Sequence, residues 1–396
     1  MKLSSKEWQN RVLNLHELVP LARQSLEAGT WSYLRGGSDS EMTLRRNRHA
    51  LDSLALQQTV LNDVSQIDPS ATLFGKDVAM PIITAPMGNI IGLDKAFTNP
   101  KAVEAGEEGG GVAAARAAER SGVGTCLSSV GRQCLEHVGA ATDGLKIFQL
   151  YVRGDWDTIA DHANRAIACG YDAFAITVDV ALNSRRDRWI ADRATRGPGS
   201  VGGTGGMAFQ QQLNWEHVTR FKTEFPSLPL LIKGIMTVAD AVKCVEHGVD
   251  GVWVTNHGGR QLDHGKGCMK LLPPIAEAVD GRATIIVDVR RQFNHDRTQA
   301  VGSHARLRLM SSCASLQGGF MRGADICKGI AAGADCVAMG RFVGIALAAG
   351  GEEAVVRAFD LLLEEMHTVL SHTGLDSVRL LVRLSLNLPD KSCGCR

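Results

Sequence analysis

A chain of 396 residues has room for two average domains or one large α/β barrel, and an apolar content of 44% supports a large core. Forty-three Lys and Arg against 42 Asp and Glu leave no excess charge to hold nucleic acid or an anionic membrane. The start, MKLSSKEWQN, is polar and no apolar run reaches about 18 residues, so neither a secretory h-region nor a transmembrane helix is expected. Ten cysteines are scattered without a CxxC pair or a metal-type Cys/His cluster, which points to reduced, packed thiols and no metal. An intracellular, cytoplasmic setting follows, with peroxisome or mitochondrion left open.

Residues 1–78 read as N-terminal helices, carried by SSKEWQNRVLNLHELVPLARQSL and SEMTLRRNRHAL. From residue 79 a unit repeats: a short apolar run, then Gly, Asp or Asn, then an amphipathic stretch. The runs are PIITAP (81–86), TCLSS (125–129), IFQLYV (147–152), AFAITVD (173–179), PLLIKG (229–234), GVWVTNH (251–257), TIIVD (284–288) and CVAMGR (336–341). They are continuous rather than alternating, as expected of parallel strands buried on both faces. GGVAAARAAERSG (110–122), DWDTIADHANRAIACG (155–170) and TVADAVKCVEHG (237–248) read as helices between them, and 351–374 as the last helix. Eight strands alternating with helices predict an α/β chain with a (β/α)8 TIM barrel over 79–375, an N-terminal helical extension and a tail over 376–396, together one domain. An open doubly wound sheet is disfavoured because no GxGxxG turn follows the first strand.

Active sites of such barrels sit at the C-terminal ends of the strands. Four of those ends carry polar residues out of keeping with a plain core: Gln149 and Tyr151, Thr177 and Asp179, Lys233, then Asn256, His257 and Arg260. VTNHGGRQLD (254–263) is the sharpest local signal. A strand delivers His257, two glycines turn the backbone closely, and Arg260 returns to the same mouth. Histidine suits a base near neutral pH. Arginine offers a planar fork to a carboxylate. TVDVALNSRRDR (177–188) brings Asp179 to a strand end, where it would orient the histidine, with Arg186 just beyond. Lys233 supplies a fixed cation where electrons arrive. Together they suit removal of hydrogen from a carbon next to a carboxylate, with the electrons passing to a cofactor.

NHGGRQLD, with IFQLYV, ITVDVALNSRRDR, LPLLIKGIMTVADA and GADCVAMGR, resembles the FMN-dependent 2-hydroxy-acid oxidases and dehydrogenases over about residues 12–375. The resemblance implies an enzyme that oxidises a small (S)-2-hydroxy acid to the 2-oxo acid, with FMN as cofactor and oxygen or a diffusible electron acceptor as partner. It also implies a homotetramer. It makes His257 the base, Asp179 its support and Tyr151 the tyrosine near the substrate hydroxyl. Tyr33, Arg186 and Arg260 become contacts of the substrate carboxylate. Lys233 falls at the flavin edge, with Gln149, Thr177, Thr255 and Ser128 as further flavin contacts and Pro86, Met87 and Gly88 as the turn under the ring. Asp288, Gly318, Gly319, Arg322, Gly340 and Arg341 are implied around the FMN phosphate. The rival readings are another FMN barrel enzyme, such as an isomerase, and a barrel that holds FMN poorly.

Four departures from the family pattern stand out. Val130 occupies a position where an aromatic residue often lines the substrate pocket, leaving room for a larger substrate. The segment between Arg188 and Asn214 is short and Gly-rich. Residues 94–109 replace a short turn after the first strand. Residues 289–317 separate Asp288 from Gly318 by an insertion with five Arg, one Asp and two His and no periodic apolar face. Met321 stands where an arginine is usual, with Arg322 beside it. The insertion reads as a basic arm for an anionic partner, as a loop without regular structure, or as the in-frame translation of a retained intron.

Overall fold

The computed structural model describes residues 4–94, 109–192, 208–289, 291–293 and 316–383. The Gly-rich stretch within 193–207, the replacement turn over 95–108, most of the 289–317 insertion and the cysteine-bearing tail lie outside them.

Twelve strands are described: β1 (Ala71–Leu73), β2 (Lys76–Val78), β3 (Ile82–Thr84), β4 (Thr125–Ser128), β5 (Lys146–Leu150), β6 (Ala173–Thr177), β7 (Leu230–Ile235), β8 (Gly251–Val254), β9 (Thr284–Asp288), β10 (Arg291–Phe293), β11 (Leu316–Gly318) and β12 (Cys336–Met339). Eight of them form one parallel sheet in the order β3-β12-β9-β8-β7-β6-β5-β4. Its two outer strands meet through the parallel bridge Ile83–Gly124, so the sheet curls into a (β/α)8 barrel. Every expected apolar run supplies one of the eight strands.

The continuous apolar runs are explained by two cores. Ile147, Ala173, Ala175, Leu231, Trp253, Ile286 and Ala338 belong to an inner cluster that fills the barrel. Their strand neighbours Phe148, Phe174, Ile176, Ile232, Val252, Val254 and Val337 belong to the outer cluster, packed under the helices. Successive side chains on a strand point to opposite faces. Small residues at Ala173, Ala175 and Ala338 leave the barrel interior room for Trp253.

The N-terminal extension is not purely helical, as the sequence suggested. After the helices Ser5–Arg11, Leu18–Ser25, Ala28–Arg35 and Met42–Asp52, β1 and β2 form an antiparallel hairpin. Its turn is Phe74-Gly75, both with positive φ (48° and 79°), the geometry of a tight hairpin. Leu73 and Val78 join the inner cluster. The final helix also differs from expectation. It runs Arg341–Thr373 with non-helical torsions at Gly350 and Gly351. The expected 351–374 is its second limb. The first limb begins directly after β12, and its start is at the mouth of the barrel. Trp8 packs at the break, where a Cβ on Gly350 would meet its ring.

Candidate active site

The alternation that fills the barrel also builds the site. Continuing each strand by one inward position past the apolar plug gives Ala85, Ser128, Gln149, Thr177, Lys233, Thr255, Asp288 and Gly340. Ser128, Gln149, Thr177, Lys233 and Thr255 are buried. Gln149 donates to Thr177 Oγ1 at 2.8 Å, and Thr255 Oγ1 lies 3.4 Å from Asp288 Oδ2. One further inward step brings Tyr151, Asp179 and His257 together. The cavity above is lined by Tyr33, Pro86, Met87, Gly88, Val130, Tyr151, Arg153, Asn183, Arg186, Lys233, His257, Arg260, Asp288, Gly340 and Arg341, among others.

His257 sits between two partners. Its Nδ1 lies 3.1 Å from Asp179 Oδ1, and its Nε2 lies 3.0 Å from Tyr151 Oη. The carboxylate accepts only, so Nδ1 carries the proton and Nε2 the lone pair, which accepts from the tyrosine hydroxyl. Burial, then the Lys233 charge, push the imidazolium down to about 4, against the opposing pull of Asp179. Burial alone would raise Asp179, but His257 and Lys233 hold its carboxyl below the usual range. Burial and then Asp179 push the Tyr151 phenol far up, so it stays protonated. The result is a neutral, oriented imidazole at the cavity wall, its Nε2 lone pair held by the Tyr151 hydroxyl.

The turn that carries His257 is backbone-strained. His257, Gly258 and Gly259 have φ of 57°, 65° and 72° in succession. The N-terminal segment holds this turn down. Asn47 and Asn256 exchange two amide hydrogen bonds at 2.9 and 2.8 Å, and Asn256 Oδ1 also accepts from Gly259 N at 2.9 Å. Ser38 N donates to Gly259 O at 2.9 Å. A Cβ on Gly259 would lie 2.7 Å from Leu44 N, so the helix Met42–Asp52 fits against the turn only because that residue is glycine. This helix has no side-chain cap from its own Glu41. Asp263, buried and beyond the turn, caps it instead, accepting from Thr43 N and Ser40 Oγ at 2.7 Å each.

Arg260 is buried, donates to Tyr33 O at 2.7 Å and stacks 4.2 Å over the Tyr33 ring. Arg186 lies 5.4 Å over the same ring. Their neighbours in the sequence go elsewhere: Arg185 pairs with Asp187, and Arg188 forks onto buried Glu41 at 2.9 and 2.7 Å. Gln210 bridges two strand exits, accepting from Val152 N at 2.9 Å and donating to Thr177 O at 2.6 Å. Asn47, Asp263, Glu41 and Gln210 carried no sequence signal of this role, although Asp263 lies within the NHGGRQLD string.

The residues implied around the FMN phosphate fall in two places. Gly340 and Arg341 line the cavity at the start of the last helix. Gly318 pairs with Arg291 in the β10–β11 ladder, and Gly319 O accepts from Arg48 at 3.2 Å. Arg322 is engaged by Glu365 at 2.8 Å and His16 at 2.9 Å. The amides of Met321 and Gly323 are occupied by Asp325 and Glu365 at 3.0 and 2.7 Å. Gly319 and Arg322 are not among the described residues that line the cavity. Locally, protein carboxylates hold the amides of Met321 and Gly323 and the guanidinium of Arg322.

The family described as FMN-dependent dehydrogenase matches residues 22–292 and 312–387. The chain is 31% identical to an L-lactate oxidase of Lysinibacillus sphaericus (strain C3-41), covering 93% of this chain and 91% of the relative. It is 28% identical to the peroxisomal (S)-2-hydroxyacid oxidase GLO3 of Arabidopsis thaliana, covering 93% and 94%. A solved mandelate oxidase variant with a C4a-OH-FMN adduct superimposes with a TM-score of 0.75 at 29% identity, covering 94% of this chain and 99% of that one. No helix among the described residues is long and apolar enough to cross a membrane.

Replacing Asn47 by Ala leaves the Asn256 amide and Cys268 N, which Asn47 Oδ1 accepts from at 3.2 Å, short of partners in a buried setting. The expected loss is about 2 kcal/mol of unfolding free energy. An unchanged urea midpoint for Asn47→Ala would contradict the clamp.

Proposed function

This chain belongs to the FMN-dependent dehydrogenase family, and from that premise we propose that its cavity oxidises an (S)-2-hydroxy acid to the 2-oxo acid, with oxygen or a diffusible acceptor taking the electrons. The observation that carries the reading is the neutral His257, held between Asp179 and Tyr151 beside two cavity-lining arginines. No isomerase chemistry requires both carboxylate forks.

The residues present fit a flavin at its ring end. Gln149 commits its N–H to Thr177 and leaves Oε1 buried without a hydrogen-bond partner among the described residues, a position that a heterocyclic N–H satisfies. Lys233, Pro86, Met87 and Gly88 share that floor, and the start of the last helix at Gly340–Arg341 faces the same cavity. Ser128, Thr177 and Thr255 complete the polar layer, with Asp288 beside Thr255. FMN, when bound, supplies the acceptor for the two electrons leaving the substrate carbon.

The protein's own part is proton chemistry and placement. Arg186 and Arg260 hold the substrate carboxylate, backed by the Tyr33 ring. The substrate's α-carbon then faces His257 Nε2, which takes the α-proton. Asp179 stabilises the imidazolium so formed. Tyr151, protonated and within reach of Nε2, holds the lone pair in place and faces the substrate hydroxyl.

His257→Gln removes the base and not the floor. Anaerobic reduction of bound flavin by a 2-hydroxy acid should slow by roughly 100- to 10,000-fold, with the flavin spectrum retained. Fast reduction in this variant refutes the assignment. The buried imidazole stays neutral well below the ordinary histidine value of about 6.5. The acid limb of kcat/KM should therefore fall only as pH drops toward about 4. An acid limb near the ordinary value would place the proton elsewhere.

A second reading has its own observation: the amides of Met321 and Gly323, before the helix Gly323–Ala331, are taken by protein carboxylates, and the family match omits residues 293–311. On this reading FMN is held weakly at its phosphate end. Deleting residues 289–317, which rejoins Asp288 to Gly318, should then tighten FMN binding at least tenfold in a fluorescence titration of the apoprotein. Equal affinity with and without the segment sets this reading aside.

A further inference from the structure

The cavity carries one more cation than the reaction requires. Lys233 faces Asp179, Arg341 faces Glu41, and Arg186 and Arg260 stack on Tyr33. Arg153 also lines the cavity, yet it has no ion pair, hydrogen bond or ring contact among the described residues. The nearest carboxylate along the chain, Asp155, is committed to capping the helix Trp156–Ala168 through Thr158 N at 3.1 Å. Arg153 follows Tyr151 by two residues just past β5, both line the cavity, and Val152 between them is buried and pinned through its N–H to Gln210. Tyr151 and Arg153 therefore share a side, with Arg153 about 7 Å farther out along the chain. That advance is on the scale of a four- or five-carbon acid. Val130, in the same lining, offers the intervening carbons an apolar wall.

We infer that Arg153 is a specificity-determining residue that receives a second, distal carboxylate, so that the preferred substrate is an (S)-2-hydroxy dicarboxylic acid. This rests on the function proposed above: the first carboxylate occupies Arg186 and Arg260, and the second reaches the outer rim. A guanidinium with no partner among the described residues pairs with a carboxylate through charge-assisted hydrogen bonds, and its exposure makes the contact sensitive to salt.

The test compares kcat/KM of the flavin-loaded enzyme for (S)-malate and (S)-2-hydroxyglutarate with the chain-matched (S)-2-hydroxybutanoate and (S)-2-hydroxypentanoate. Diacids should be preferred by roughly ten- to a hundredfold, through KM rather than kcat. Arg153→Gln should collapse that ratio toward one, and Arg153→Lys should keep part of it. Equilibrium titration with 2-oxoglutarate against 2-oxopentanoate reads the same ratio without turnover. Monoacids oxidised as well as diacids, or a ratio unchanged by Arg153→Gln, overturn the inference and leave the proposed function standing. Failure of every 2-hydroxy acid to reduce the flavin overturns the proposed function, and the 2-oxo acid titration then decides the role of Arg153 by itself.

Discussion

A strand cannot turn two successive side chains to the same side, and the organisation of this protein follows from that constraint. Inside the barrel the inward positions run from apolar to polar in steps of two. Leu231 leads to Lys233, Ala175 to Thr177 and Asp179, Trp253 to Thr255 and His257, Ile147 to Gln149, Tyr151 and Arg153. The apolar members exclude water and fix the strands. The polar members nearest the plug inherit that rigidity. A single-residue slip in register would send Lys233 outward and bring a neighbouring apolar side chain into the mouth.

Rigidity from below is matched by a roof from the other end of the chain. The histidine turn, with three successive positive φ values, is costly in isolation and persists because Asn47, Ser38 and Leu44 press on it. The same segment supplies Tyr33, against which both Arg186 and Arg260 stack. The electrostatics of His257 come from below, through Lys233 and Asp179, and its orientation comes from above. Neither half alone makes the site.

The barrel was legible because burial on both faces writes itself as uninterrupted apolar runs, and all eight became strands. His257, Asp179, Tyr151, Arg186 and Arg260 were legible because each stands at or just past a strand end, in a string specific enough to align with a family. Roles set by a distant partner were not. Asp263 caps a helix more than 200 residues away, and Gln210 ties together two strand exits; a carboxylate or an amide alone says nothing of either. Arg322 marks the same limit: its position beside the glycines suggests an anion contact, and only the fold shows Glu365 and His16 beside it. The hairpin at Ala71–Val78 was hidden because only three residues per strand take part.

The clamp between Asp263 and the helix Met42–Asp52 spans 220 residues of chain. During synthesis that helix leaves the ribosome with its first amides uncapped, and they remain so until the eighth strand and the turn after it have emerged. Contacts this distant reward the chain only after its loop-closure entropy has been met. The pocket is therefore among the last features to exist, and a truncated chain ending before residue 263 leaves the first amides of that helix without their Asp263 cap.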